Sequence, residues 1–182
     1  IIRDLRGQTV IVYPFQYNDY QKILRVYTNI VIEIYEDGYS NINTIEEIEQ
    51  SRSINNEYHN IYSNHFLNYN QPNSRFDYLS EQNKMLIIAY DDFEDEMEPF
   101  VNWKNKKGIH TEIVNISEIG SNSDSIKEFV NQYWEQNNQL GYLLLVGDAA
   151  QVPTPIINGA ASDPSYGYLE GDDSYSEIIV GR

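Results

Sequence analysis

From residue 84 onward, the sequence alternates between short, continuous apolar runs and longer segments with helical periodicity. KMLIIAY is such a run, and HTEIVNI, YLLLVGD and EIIVGR are interpreted as the second, third and fourth strands. Continuous apolar strands are typical of a sheet that is covered on both faces, and their alternation with helices is typical of a parallel sheet. The pattern therefore predicts an α/β fold for residues 76–182, with helices flanking a parallel sheet.

Two segments between the first three runs have the features of covering helices. The first follows Tyr90, carries acidic residues in its first turns and lysines in its last, and stops at Gly108. This charge order suits the helix dipole, and glycine is a common residue after a helix end. The second begins at a predicted cap, Ser123. Its apolar side chains lie on one predicted stripe: Ile126, Phe129, Val130, Tyr133 and Trp134.

Residues 1–75 have a different composition, which is rich in Val, Ile, Tyr and Thr. Residues 8–18 and 23–37 alternate between apolar and polar side chains, which predicts two strands joined as an antiparallel hairpin through DYQK. Residues 44–50, TIEEIEQ, form a possible helical turn, and NYNQPNSR is typical of a loop. We therefore predict two units, a β-rich segment over 1–75 and an α/β unit over 76–182.

Charge and composition exclude several classes of function. The net charge is −16; residues 1–75 carry nine acidic and six basic residues, and residues 76–182 carry nineteen and six. Such a surface repels nucleic acid and anionic lipid and favours cations or basic partners. The apolar runs are too short for a membrane span. The chain has no cysteine, and it carries neither a phosphate-binding loop nor a dinucleotide fingerprint.

The acidic residues near the end of the sequence are candidate calcium ligands. Asp173, Tyr175 and Glu177 are spaced by two, so two carboxylates and a backbone carbonyl can face one ion. Calcium takes six to eight such oxygens, and Glu170 and Asp148 are candidates to complete the shell. The alternatives are a solvated acidic turn for the cluster and an ordinary turn residue for Asp148.

The basic and nucleophilic residues give weaker signals. The three histidines, His59, His65 and His110, have no neighbouring nucleophile motif, which favours structural or surface roles. Arg75 lies in a loop of the kind that proteases cut, although a lone loop arginine is usually without such a role. No set of catalytic residues can be assembled from this chain.

Three blocks in consecutive order resemble the gingipain family, the cysteine endopeptidases of peptidase family C25. These are EPFVNWKNKKGIHTEIV, YLLLVGDAAQVP and SDPSYGYLEGDDSYSEIIVGR, preceded by GQTVIVYPFQYN and LRVYTNIVIEIYE, which are similar to the family's propeptide. The resemblance implies a caspase-like catalytic domain over 76–182 and the tail of an inhibitory prodomain over 1–75. It also implies processing between Arg75 and Phe76 and a structural calcium ion held by Asp148, Asp173, Tyr175 and Glu177, with Glu170 as a further candidate.

The resemblance further implies that the catalytic His and Cys lie downstream of VGR, in the remainder of the catalytic domain. The first hypothesis is therefore a fragment of a secreted or cell-surface bacterial protease zymogen that acts on protein or peptide substrates. The alternative hypothesis is a non-catalytic, calcium-stabilised surface or adhesion module derived from the same fold. A downstream Cys and His would favour the first.

Overall fold

The computed structural model describes residues 1–3, 5–35, 37–39, 54, 56–69, 83–137, 139–171 and 173–182. Its strands and helices follow in chain order: β1 (Phe15–Asn18), β2 (Ile23–Val26), α1 (Asn56–His65), β3 (Lys84–Ala89), α2 (Glu94–Lys106), β4 (Thr111–Asn115), α3 (Ile116–Ile119), α4 (Ser123–Gln136), β5 (Leu140–Val146), β6 (Ile156–Ile157), β7 (Ala160–Ala161) and β8 (Ile179–Gly181). Two short 3-10 helices cover Asp91–Phe93 and Asp163–Gly167. No helix in these ranges is long and apolar enough to cross a membrane.

Four strands form one sheet in the order β4-β3-β5-β8, and each neighbouring pair is parallel. Each predicted apolar run supplies one of these strands, so the predicted parallel sheet is confirmed. The connections from β3 to β4 and from β4 to β5 each contain a helix, as parallel neighbours require.

The side chains of the central strand β3 alternate between two cores. Leu86 and Ile88 belong to a cluster that packs against α4, with Ile126 and Val130 fully buried. Met85, Ile87 and Ala89 belong to a second cluster, on which three side chains of α2 pack: Met97, Phe100 and Val101. Both faces of the sheet are thus covered by helices, which explains why the central strands β3 and β5 are almost entirely apolar.

The two covering helices follow the predicted pattern with one correction. Helix α2 has Glu94, Asp95 and Glu96 in its first turn, and the chain leaves it through Gly108 with a φ of 87°. Helix α4 is capped by Asn122, whose side chain accepts a hydrogen bond from the Ser125 amide at 2.9 Å. The prediction of Ser123 as the cap is therefore wrong by one residue, because Asn122 has the extended backbone that lets its side chain reach that amide.

The N-terminal hairpin is confirmed, but its strands are much shorter than predicted. β1 and β2 pair antiparallel over four residues each, from Phe15 opposite Val26 to Asn18 opposite Ile23. Residues 8–14 and 27–35 are described without strand pairing. Both faces of the hairpin are exposed, including Phe15 at 63% and Tyr17 at 60%. A two-stranded ribbon buries too little apolar surface to extend itself, which accounts for the short pairing. The predicted turn at 44–50 lies outside the described residues.

Helix α1 has a small core of its own. Ile54, Tyr58 and Tyr62 are buried there, and five partly buried side chains pack around them: Ile2, Leu5, Ile61, Phe66 and Tyr69. The first residues of the chain thereby cover this helix.

Candidate functional site

The segment between β7 and β8 folds back along the edge of the sheet. It begins with the 3-10 helix Asp163–Gly167, and the Glu177 amide donates to the Gly167 carbonyl at 2.9 Å. Residues 168–177, called the acidic loop below, therefore close into a turn whose two ends are hydrogen-bonded. Gly167 permits this contact, since a Cβ there would lie 2.2 Å from the Ser176 hydroxyl and 3.0 Å from the Ile178 carbonyl.

Glu177 connects the end of the acidic loop to its start by hydrogen bonds. Its side chain is buried, with 6% relative exposure. Carboxylate atom Oε2 accepts hydrogen bonds from the Leu169 amide at 2.7 Å and from the Glu170 amide at 3.3 Å. Its backbone carbonyl accepts a third bond, from the Tyr58 hydroxyl at 3.1 Å. A buried carboxylate is tolerated only with such partners, so Glu177 fixes the shape of the loop.

Lys127 brings a positive charge to the start of the acidic loop. From helix α4, its Nζ donates to the carbonyls of Ser165 at 3.0 Å, Tyr166 at 3.4 Å and Tyr168 at 2.5 Å. Burial lowers the pKa of Lys127, and the negative charge of Glu177 opposes that shift. The ammonium group thus ties helix α4 to the 3-10 helix and to the start of the acidic loop.

The sequence reasoning missed Lys127. One signal was available: residues 76–182 contain only six basic residues beside nineteen acidic ones. Lys127 also lies next to the predicted apolar stripe of α4, where a lysine can place its stem along apolar surface. What the sequence lacks is the identity of its partners, because they are backbone carbonyls.

The predicted ligands Glu170, Asp173, Tyr175 and Glu177 all belong to the acidic loop. Asp173 Oδ1 accepts a hydrogen bond from the Tyr175 amide at 2.9 Å, and Asp173 Oδ2 lies over Gly171. Carboxylates and backbone carbonyls are the oxygen ligands that calcium prefers, so the chemistry of this donor set fits a calcium ion. Within the described residues, which leave out Asp172, no three such acidic side chains form a group that could hold a metal.

Asp148 lies elsewhere, and the predicted convergence of all five residues on one ion does not match the strand register. In the β5–β8 pairing Tyr142 is opposite Ile179, so the acidic loop precedes β8 at the amino edge of the sheet. Asp148 follows β5 at the opposite, carboxyl edge. Val146, the last residue of β5, already lies roughly 13 Å beyond Tyr142 at about 3.3 Å per residue, and Asp148 lies beyond Val146. Its Oδ1 instead accepts from the Ala150 amide at 2.8 Å and the Gln151 amide at 3.1 Å. This is the turn role that the sequence left open.

Arg182 organises the carboxyl edge. Its guanidinium donates two bonds to the Asp163 carboxylate, each at 2.7 Å, and one to the Thr154 hydroxyl at 2.9 Å. Two further bonds, each 2.9 Å, go to the carbonyls of Gly147 and Val152. The hydrogen bonds from Arg182 lower the pKa of Asp163. One side chain therefore ties β8, the turn after β5 and the 3-10 helix together.

The remaining predicted residues are structural or lie outside the described ranges. The rings of His59, His65 and His110 are hydrogen-bonded to the Tyr69 hydroxyl, the Ile61 carbonyl and the Glu112 carboxylate, respectively. Arg75 and Phe76 fall within residues 70–82, outside the described part of the chain.

Comparison with known proteins places both parts of this chain. The profile of peptidase family C25 matches residues 78–182, and the profile of the C25 propeptide matches residues 1–66. Among curated proteins, Gingipain R2 of Porphyromonas gingivalis (strain W83) is 37% identical over 185 residues, covering 100% of this chain and 25% of its own length. Gingipain R1 of the same species is 35% identical over 192 residues, covering 100% of this chain and 18% of its own. The chain thus spans a quarter or less of these relatives.

Solved structures agree with the sequence matches. The crystal structure of the Arg specific cysteine proteinase gingipain R aligns with a TM-score of 0.54 at 38% identity, over 56% of this chain and 24% of that one. The complex of Porphyromonas gingivalis RgpB pro- and mature domains aligns with a TM-score of 0.53 at 39% identity, over 55% and 24%.

Proposed function

This chain belongs to peptidase family C25, and from that premise we propose that it is part of the zymogen of a secreted or cell-surface bacterial cysteine endopeptidase. In this proposal residues 1–75 are the end of an inhibitory propeptide and residues 76–182 begin the catalytic domain. The catalytic His and Cys belong to the remainder of that domain, which is the main partner of this chain. The substrates are proteins or peptides.

The observation that carries this proposal is the order of the two matches on one chain. A C25 propeptide match is followed directly by a C25 peptidase match, and the second corresponds to a parallel sheet covered by helices. In this arrangement the described residues contribute the scaffold rather than the nucleophile.

The test uses the full-length protein that carries this chain. We expect it to hydrolyse peptide amides after Arg or Lys, and we expect a thiol-alkylating reagent to abolish that activity, because family C25 uses a cysteine nucleophile. Measuring both substrates decides the specificity. Activity that survives alkylation would contradict the cysteine mechanism, and the absence of any hydrolysis after processing would favour the non-catalytic surface module instead.

The proposed processing site is tested in the same protein. Arg75→Ala should leave the propeptide attached, which is visible as an uncut band after incubation under activating conditions. Arg52→Ala is the matched control and should mature normally. Normal maturation of the Arg75 variant would remove this residue as the site.

We also propose that the acidic loop holds a structural calcium ion through Glu170, Asp173, Glu177 and the Tyr175 carbonyl. The support is the resemblance to the family and the oxygen chemistry of the loop. The register argues against Asp148 as a ligand of the same ion.

Thermal unfolding with calcium and with a chelator tests this second proposal. Asp173→Ala should lower the melting temperature in calcium to the value that the parent shows with the chelator. Glu135→Ala, an exposed residue of α4, is the control and should keep the calcium response. An unchanged calcium response in the Asp173 variant would argue that this loop binds no ion.

A further inference from the structure

Helix α1 contacts the amino edge of the sheet at two adjacent residues. Tyr58 donates its hydroxyl to the Glu177 carbonyl at 3.1 Å, and this contact is buried. Glu57 Oε2 accepts a bond from Asn83 Nδ2 at 3.3 Å. Both sheet-side partners precede strands, Asn83 before β3 and Glu177 before β8. A helix from the propeptide match therefore contacts residues that precede β3 and β8, two strands of the peptidase match that are separated by β5 in the sheet.

The sheet edge is shaped to receive this helix. Asn83 is only 1% exposed and lies against Gly141, where a Cβ would be 2.2 Å from its Cγ. The missing side chain at Gly141 is what lets the Asn83 amide lie against β5 and face Glu57. Burial raises the pKa of Tyr142 to about 12, and the negative charge of Glu57 contributes to that shift. Glu57 thus contacts Asn83 directly and contributes negative charge to the surroundings of Tyr142.

On the helix side, the Tyr58 ring is held by its own cluster. The guanidinium carbon of Arg3 lies 4.5 Å from the Tyr58 ring centroid, and the Tyr62 ring centroid is 5.9 Å away. Tyr58 itself is 4% exposed. Its hydroxyl is therefore presented from a packed cluster, so little conformational entropy is lost when it binds the loop.

We propose that the amino edge formed by Asn83, Tyr142 and the Glu177 backbone is a docking surface for the propeptide helix α1, and that docking holds the acidic loop in its closed shape. Glu177 connects the two events, because its carbonyl binds Tyr58 while its carboxylate binds the amides of Leu169 and Glu170. Opening of the loop must move this residue and break the contact with the helix.

This inference rests on the proposed function only for the propeptide nature of α1 and for any ion in the loop. Thermodynamic linkage makes this coupling reciprocal. The factor by which a ligand of the closed loop strengthens attachment of the helix equals the factor by which the attached helix strengthens binding of that ligand. Calcium bound to the closed loop would consequently strengthen attachment of the propeptide segment.

Amide hydrogen exchange on the full-length protein, in chelator, tests the coupling without any metal. Tyr58→Phe removes the hydroxyl but keeps the ring. We expect the amides of Leu169, Glu170 and Glu177 to exchange roughly fivefold faster, as expected for one lost hydrogen bond in a local opening equilibrium. Tyr69→Phe is the matched control, because its hydroxyl contacts His59 on the helix side, and it should leave the loop unchanged.

A second variant separates the helix from the loop. Glu57→Ala removes the contact with Asn83, and we expect faster exchange in both α1 and the acidic loop. Parental exchange rates in the loop for both the Tyr58 and Glu57 variants would overturn the proposal. Since no calcium is present, that result would leave the calcium site untouched. Conversely, if the Asp173→Ala protein retains its calcium response, the calcium proposal fails, while the proposed coupling between helix α1 and the acidic loop stands.

Discussion

The Arg182 network gives the sharpest test of how the carboxyl edge is held together. Substituting methionine keeps an unbranched side chain of about the length of the arginine stem and removes all five hydrogen bonds that the guanidinium donates to Asp163, Thr154, Gly147 and Val152. Lysine keeps the charge but lacks the planar fork, so it cannot reproduce the paired bonds to Asp163.

The expected loss follows from the surroundings of these groups. The side chains of Arg182 and Asp163 are 22% and 24% exposed, so water can only partly replace the lost partners. Hydrogen bonds to charged groups contribute about 1.5–3 kcal/mol each, but bonds made by one side chain are not additive. Asp163 also keeps its bond from the Thr154 hydroxyl. We therefore expect Arg182→Met to cost about 2–3 kcal/mol and Arg182→Lys about 1–2 kcal/mol.

Chemical unfolding of the full-length protein measures these values, and a double-mutant cycle with Asp163→Asn isolates the paired interaction. The pKa of Asp163 is lowered in the folded protein. Its stabilising contribution is therefore present above the unfolded pKa of about 3.9 and is lost as the pH falls through the folded pKa. The difference between parent and Arg182→Met should shrink over that acidic range. A cost below about 0.5 kcal/mol, typical of exposed surface changes, would refute the reasoning.

Two further predictions concern helix α4. Lys127→Met should lower the free energy of unfolding by about 2 kcal/mol, because it removes the hydrogen bonds from Nζ to the carbonyls of Ser165, Tyr166 and Tyr168. Lys84→Met, which removes a bond from Nζ to the Asn137 side chain, should show the smaller loss in the same urea unfolding assay. Asn122→Ala should cost about 1 kcal/mol by loss of the cap, and Ser123→Ala should cost clearly less in the same assay. Equal losses in either pair would contradict the structural assignment.

The sheet was predictable because its signal is local. The two central strands of the parallel sheet, β3 and β5, are mostly apolar runs, and each covering helix carries its stripe within one segment. The N-terminal hairpin shows where local signals stop. Residues 8–14 and 27–35 have strand periodicity, yet the described structure pairs only Phe15–Asn18 with Ile23–Val26. Strand length depends on neighbouring strands and on burial, neither of which a periodicity contains.

The candidate site was predictable in composition and not in arrangement. Spacing by two groups Asp173, Tyr175 and Glu177 in one loop, but the addition of Asp148 assumed that both segments end at the same edge of the sheet. The register shows that the loop enters β8 at the amino edge while Asp148 leaves β5 at the carboxyl edge. The spacing of residues shows which side chains are neighbours along the chain. The pairing of the strands is needed to show at which edge of the sheet each of them lies.

Glu177 shows why the rest of the site could not be derived from residue types. Its carboxylate, amide and carbonyl each have a different task, and most of its partners are backbone groups or a distant tyrosine. A sequence gives the carboxylate a charge and hence a preference for cations. The fold places the positive charge of Lys127 in its surroundings and commits the carboxylate to two amides, so any metal ion must bind a loop whose buried carboxylate already has hydrogen-bond donors. We therefore expect a calcium ion to tighten a preformed loop rather than to create it, and the hydrogen-exchange measurement in chelator separates these two cases.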